Sequence, residues 1–266
     1  MASAEKRYGI VIPVMNEEAC LGAVLDELVG TLGNSGKFQI AVGLNANTDR
    51  SGEIAESRGI LVGRTEEAGY GHGCRAAVEV LVREKPEISA FIFYAGDGGN
   101  APEDILKLVD AFESGKGDFV IGQRTCRAAN WKRMGADRAL PNITLGLWLS
   151  LLTFRPWLDL GPLRLIDRDL FRQMDQREWT WGWTAEGQIM AARLGAKIHR
   201  MTVDERPRIA GEQKVSRVSF RRSLGIGLSI AAAAWRVRWR RKNPRPVTGV
   251  EKPPVAPPLT GIEKSA

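Results

Sequence analysis

Phe91-Ile92-Phe93-Tyr94-Ala95-Gly96-Asp97-Gly98-Gly99-Asn100-Ala101-Pro102-Glu103 is a run of β-formers that ends abruptly at one carboxylate wrapped in glycines. It then turns through Pro102-Glu103-Asp104 into a helical pattern, Ile105, Leu106, Leu108, Val109 and Phe112. This predicts a buried parallel strand that delivers Asp97 to its carboxyl end, where open α/β sheets bind ligands. Glycines on both sides let a ligand or metal approach the backbone. The same stretch also reads as a glycine-rich turn whose aspartate caps the following helix.

Working outward, Tyr8 to Pro13 is a short apolar strand, and Leu21, Val24, Leu25 and Leu28 mark one face of the next helix. Phe38 to Leu44 and Gly59 to Val62 are further strands, and Asn45 to Gly52 is an Asx-rich turn entering a helix near Glu53. Gly69 to Gly73 opens a helix from Cys74 to Arg83, and Asp118 to Arg124 is another strand. Strands alternating with helices at this spacing predict an α/β fold with a mostly parallel sheet. Beyond Arg124 come a basic loop (Arg127, Lys132, Arg133, Arg138) and an apolar run from Ile143 to Phe154. A strand at Ala196 to Val203 and a second apolar run, Leu224 to Trp235, follow. Each apolar run is shorter than the roughly 20 residues that cross a bilayer.

Three cysteines without ligand spacing and no apolar leader predict a reduced, cytoplasmic protein. The net charge is +7, yet Arg217 to Arg245 alone holds nine basic residues and no acidic one, so the remainder is close to neutral. A local basic arm calls for an anionic surface, membrane or nucleic acid. No nucleic-acid reading module is recognisable in it. Residues 224–242 therefore read as an in-plane helix at an anionic membrane surface, or else as a core helix with a solvated basic end. The proline-rich residues 243–266 are expected to be disordered.

Eight segments in order resemble the family 2 glycosyltransferases of the GT-A fold, closest to the branch of dolichyl- and polyprenyl-phosphate sugar synthases. They are Val11 to Glu18, Asn45 to Asp49, Gly69 to Gly71, Asp97 with Pro102-Glu103, Gly122 to Arg124, Asp159 to Arg164, Trp183 to Glu186 and Arg208 to Ser216. The resemblance implies a GT-A domain over 1–216, with a nucleotide-sugar half at 7–124 and an acceptor half at 125–216, before the basic segment 217–242. It implies donor contacts at Pro13, Met15, Glu17, Asn45, Asp49, Gly71 and Asp97, and Mg²⁺ or Mn²⁺ at Asp97. Aligned so, the first carboxylate of the Asp-x-Asp pair falls on Ala95, and an acidic base-contacting position falls on Leu44.

A lipid-phosphate acceptor is already ionised and needs cationic anchoring rather than a strong base. Arg124, Arg133, Arg138, Arg164, Arg208 and Lys214 are the candidates. Asp97, Arg164 and Glu186 are the candidate catalytic residues; Glu186 reads equally as a helix-start charge, as an acid or base, or as an orienter of Arg164. Trp179, Trp181 and Trp183 suit stacking or packing, and His72 reads as a phosphate contact or a plain loop histidine. The expected function is inverting transfer of a sugar from a nucleotide donor to a polyprenyl phosphate or similar lipid, by a protein peripheral to the inner membrane face. Transfer to a soluble acceptor, or a silent relative acting as a scaffold, are the alternatives.

Overall fold

The computed structural model describes residues 6–33, 35–209 and 220–240. The first half runs β1 (Arg7–Val14), α1 (Glu18–Leu32), β2 (Phe38–Asn45), α2 (Ser51–Glu56), β3 (Leu61–Thr65), α3 (Tyr70–Glu84), β4 (Ile88–Phe93) and α4 (Pro102–Glu113). The second runs β5 (Phe119–Gln123), α5 (Ala128–Met134), α6 (Ala136–Thr153), β6 (Arg164–Asp167), α7 (Arg168–Met174), α8 (Trp183–Arg193), β7 (Ile198–Thr202) and α9 (Phe220–Trp239). The strand order is β3-β2-β1-β4-β6-β5-β7. Only β6 is antiparallel, entering between β4 and β5 with Arg164 opposite Phe93 and Ile121.

Side-chain alternation divides the core into two layers. Ile10, Ile12, Ala90, Ile92, Val120 and Leu165 face a layer with Leu21, Leu25, Ile105 and Leu108, from α1 and α4. Val11, Phe91, Phe93, Phe119, Ile121 and Ile166 face the opposite layer, with Ala77, Leu81, Trp183 and Ile189 of α3 and α8. By the same alternation Arg164 stands on the second face. A cation thus enters the core beside the carboxyl end of β4.

α3 lies directly on β2 and β3. A Cβ on Gly43 would collide with the Gly73 carbonyl oxygen, and one on Gly63 with that of Ala76. Small residues are therefore a packing requirement, and Gly71 and Gly73 fall inside the first turn of α3 rather than in a loop before it. Two other local expectations shift. β3 begins at Leu61, after Gly59. The supposed basic loop contains the short helix α5.

α9 is packed on one side and open on the other. Ala233, Ala234 and Val237 are buried against α6 and α8. The Trp148 indole N–H donates to the Ala231 carbonyl at 3.3 Å, and Arg193 donates to the Val237 carbonyl in the last turn at 2.6 Å and to the Arg240 carbonyl just beyond it at 2.5 Å. A cation over those carbonyls is favourable for the helix end. No described helix is long and apolar enough to cross a membrane.

Candidate functional site

The carboxyl ends of β1 and β4 bring together Glu17, Asp97 and, from the stretch after β7, Arg208. Arg208 forms an ion pair with Glu17, and its Nη1 stands 3.8 Å from Asp97 Oδ2. Cys20, buried beneath them, receives Arg208 Nη2 at 3.6 Å. The Asp97 turn holds itself together: the Gly99 N–H donates to Asp97 Oδ1 at 3.0 Å. Residues 206–209 cross it as a strap. The Arg206 N–H donates to the Gly99 carbonyl at 2.8 Å, and the Ile209 N–H to the Asp97 carbonyl at 3.2 Å. Gly98 adopts φ +74°, and Ile209 covers it at 2.5 Å from where a Cβ would stand. Burial pulls the pKa of Arg208 below its ordinary value.

These residues do not fit a divalent metal held by the protein. Among the described residues no group of three His, Cys, Asp or Glu side chains could hold one. Asp97 is the only carboxylate on its turn, one oxygen is engaged by Gly99, and a guanidinium already faces the other. A second cation placed there meets like-charge repulsion at short range. Arg208 thus stands beside the carboxylate at which Mg²⁺ or Mn²⁺ is expected.

Several expected donor residues have structural partners instead. Asp49 Oδ2 accepts the Glu18 N–H at 2.9 Å and Oδ1 the Ser51 N–H at 3.0 Å, so it caps α1 from the neighbouring loop. Burial raises its pKa, but these hydrogen bonds outweigh it and the net shift is downward. Asn45 donates to the Val14 carbonyl at 2.8 Å and accepts the Gly69 N–H at 3.1 Å, tying β1, β2 and α3 together. The close approach that Gly71 permits is made by the backbone of Trp179. Pro13 and exposed Met15 stay at the sheet edge. His72 pairs with Glu67 at 2.8 Å and stacks on Trp179.

The acceptor candidates separate in the same way. Arg124 is clamped by Asp159, through Nε at 2.9 Å and Nη2 at 3.0 Å, and by Glu205 at 3.2 Å. Coulombic attraction and hydrogen bonds from these carboxylates raise its pKa despite the opposing, larger desolvation. Arg133 donates to the Glu205 carbonyl at 3.2 Å. Lys214 and the side chain of Arg138 lie outside what is described.

Arg164 differs. It is only 2% exposed, and its described hydrogen bonds are to neutral oxygens, Thr184 Oγ1 at 3.0 Å and the Pro162 carbonyl at 3.4 Å. The guanidinium lies over the Phe93 ring. Tyr70 and Cys74 of α3 stand beside it. Burial drives the tyrosine pKa up and pushes the Cys74 thiol up to about 12, so both are neutral. A buried cation set among neutral groups at two helix N-termini is an anion-attracting arrangement.

No described hydrogen bond joins Glu186 to Arg164. Glu186 is fully buried, and Oε2 accepts the N–H groups of Arg177 and Glu178 at 2.7 Å each, while Oε1 accepts Arg240 at 2.6 Å. Burial pushes its pKa up against these three donors. The carboxylate is a staple between the tryptophan loop and the end of α9. Sequence reasoning missed Cys20, Asp159, Glu205, Thr184 and Arg240 as partners. Asp159 and Thr184 had a signal, since each lies in a segment of the resemblance, Asp159 to Arg164 and Trp183 to Glu186.

The model of the family described as glycosyl transferase family 2 matches residues 9–174. No curated protein matches the sequence. Among solved structures, glucosyl-3-phosphoglycerate synthase from Mycobacterium tuberculosis with Mn²⁺, UDP-glucose and phosphoglyceric acid is 18% identical, with TM-score 0.63, over 88% of this chain and 80% of that one. Its complex with UDP gives 18% identity and TM-score 0.62, over 86% and 81%. A structure described as a mycobacterial protein gives 17% and TM-score 0.64, over 88% and 75%. At these identities the likeness is one of fold.

Proposed function

Because the chain belongs to glycosyl transferase family 2, we propose that this glycosyltransferase moves a sugar from a nucleoside-diphosphate donor onto a lipid phosphate at a membrane surface. This is the chemistry of the dolichyl- and polyprenyl-phosphate branch. The observation that carries it is the open face of α6 and α9. On α6 and its C-cap, Leu140, Leu147, Leu151 and Phe154 are exposed at helical steps of seven, four and three residues, Phe154 to 84%. On α9, Leu228, Trp235 and Trp239 repeat the spacing, Trp239 at 63% exposure. The stripes adjoin, since Trp148 stacks on Trp235 and Arg238 donates to the Leu152 carbonyl at 2.7 Å. A broad apolar face with tryptophans and a basic rim (Arg155, Arg236, Arg238) matches an interfacial membrane contact.

Behind that face, the buried side of α9 packs toward the element that holds the buried cation. Ala233 of α9 lies against Gly182, two residues before the Thr184 that holds Arg164. In this reading the lipid phosphate meets Arg164 while its chain stays on the α6–α9 face. One phosphate oxygen attacks the anomeric carbon, and the bond from that carbon to the donor diphosphate breaks with its electron pair on the leaving oxygen. A single displacement inverts the centre. Glu17, Met15 and Pro13 border the nucleoside end.

A soluble phosphorylated acceptor is the second reading, supported by the fold shared with the phosphoglyceric-acid complex; Arg164 would serve it equally. The test is flotation with phosphatidylglycerol liposomes, followed by transfer assays with labelled UDP- and GDP-sugars. Polyprenyl phosphate in the liposomes competes there with free phosphoglyceric acid. Flotation lost in Phe154→Ser/Trp239→Ser, with transfer to the lipid, is expected. Transfer to phosphoglyceric acid alone, without flotation, would overturn the lipid reading.

A further inference from the structure

We propose that Arg208 takes the place of the divalent cation, so that the donor diphosphate binds between Glu17 and the Asp97 turn on a guanidinium rather than on a metal. The inference rests on the donor reading above. Three observations meet at this point. Ala95 stands where an Asp-x-Asp pair would have its first carboxylate, so the turn carries only Asp97. Arg208 is the one cation among the described residues whose ion pairs reach both Glu17 and Asp97. The strap that carries it is fastened to the turn by two backbone hydrogen bonds and by Ile209 over Gly98.

Charge balance gives the reason. A nucleoside diphosphate entering between two carboxylates is repelled unless a cation intervenes. With both carboxylates of an Asp-x-Asp pair the surplus negative charge holds a metal. With the first of them absent, the fixed guanidinium offsets one of the two carboxylate charges that remain, Glu17 and Asp97, and is the cation that stands between them and the diphosphate. Its planar fork also matches phosphate oxygens two at a time, which a hydrated ion does not. Asp97 then positions the arginine rather than ligating a metal, and Cys20 supports the guanidinium from below at 3.6 Å. As the bond to the sugar breaks, the same group faces the charge gathering on the leaving diphosphate.

The test is calorimetric titration of the full chain with UDP, GDP and UDP-glucose, in EDTA and in Mn²⁺. One nucleotide is expected to bind in EDTA within about threefold of its affinity in Mn²⁺. Arg208→Ala should weaken it by about tenfold or more, as expected for a lost charge-assisted contact. Arg208→Lys should recover part of the affinity. Because Arg208→Ala also frees Asp97 from its guanidinium, Mn²⁺ should strengthen nucleotide binding in this variant and not in the wild type. A purely structural arginine would not produce that gain of metal dependence. Wild-type binding that requires Mn²⁺ and vanishes in EDTA overturns the inference while leaving the transferase reading intact. Failure of every nucleotide in both solutions overturns the donor reading itself.

Discussion

Arg124→Ala is the most direct test of the buried ion network beside the site. Arg124 is 13% exposed on its side chain, and Asp159 not at all. The substitution removes three charge-assisted hydrogen bonds and leaves Asp159 and Glu205 without their guanidinium. Breaking one buried pair costs about 3–5 kcal/mol, mostly from the charge left uncompensated. We take about 4 kcal/mol, which is less than the separate bonds would sum to, because effects within one network are not additive. At about 2–4 °C per kcal/mol for a domain of this size, the midpoint of thermal unfolding should fall by about 8–16 °C. Asp159→Asn should cost less, since it keeps the shape and one acceptor. Differential scanning calorimetry reads the shift, and nucleotide and acceptor KM values are measured on the folded fraction. Suppose Arg124→Ala unfolds at the wild-type temperature but raises the acceptor KM a hundredfold. Then the arginine is a substrate ligand and the structural argument is wrong.

Three further outcomes follow from the same geometry. Glu186→Gln should lower stability by about 2 kcal/mol, through the weakened bonds to Arg177, Glu178 and Arg240, with turnover per folded molecule unchanged. A hundredfold fall in kcat at unchanged stability would give Glu186 an acid–base role. Asp49→Ala removes the cap of α1 and should cost about 1 kcal/mol in urea unfolding without altering nucleotide affinity; a lost affinity would make it a donor ligand after all. Burial is the chief cause that depresses the folded pKa of His72 below 6.5; Glu67 opposes it and Arg75 adds to it. The unfolded chain therefore binds the proton first, and this stability is full above 6.5 and lost as pH falls through the folded value. The urea midpoint should decline on acidification in the wild type and less steeply in His72→Gln. Equal slopes would exclude His72 as the source.

The fold was legible because its signals are local. β1, α1, β2, β4 and α4 lie close to where apolar periodicity predicts them, and Leu21, Val24, Leu25 and Leu28 are all buried. Antiparallel β6 was not legible, because pairing direction leaves no mark in a four-residue strand. The site divides along similar lines. Asp97 and Arg208 could be picked out from their segments, but the ion pairs of Arg208 span very long stretches of sequence. Asp49, Asn45 and Glu186 carry residue types that suit ligands and caps equally, and only their partners decide. Glu186 is decided by Arg240, more than fifty residues later, which composition had assigned to an undivided basic arm.

The insertion of β6 has a consequence for how this chain reaches its native state. β5 touches none of the four strands made before it; its neighbours are β6 and β7. While the protein is being synthesised, β1 to β4 can assemble, but β5 must wait until β6, Arg164–Asp167, has left the ribosome. Until then Phe119 and Ile121, buried at the end, are without a sheet to join. Pairings of such sequence separation are slow to close and leave unpaired edges open to aggregation. A chaperone that shields nascent β5 should raise the soluble yield more than one acting on the finished chain, and a fragment ended after Gln123 should precipitate rather than fold as a smaller domain.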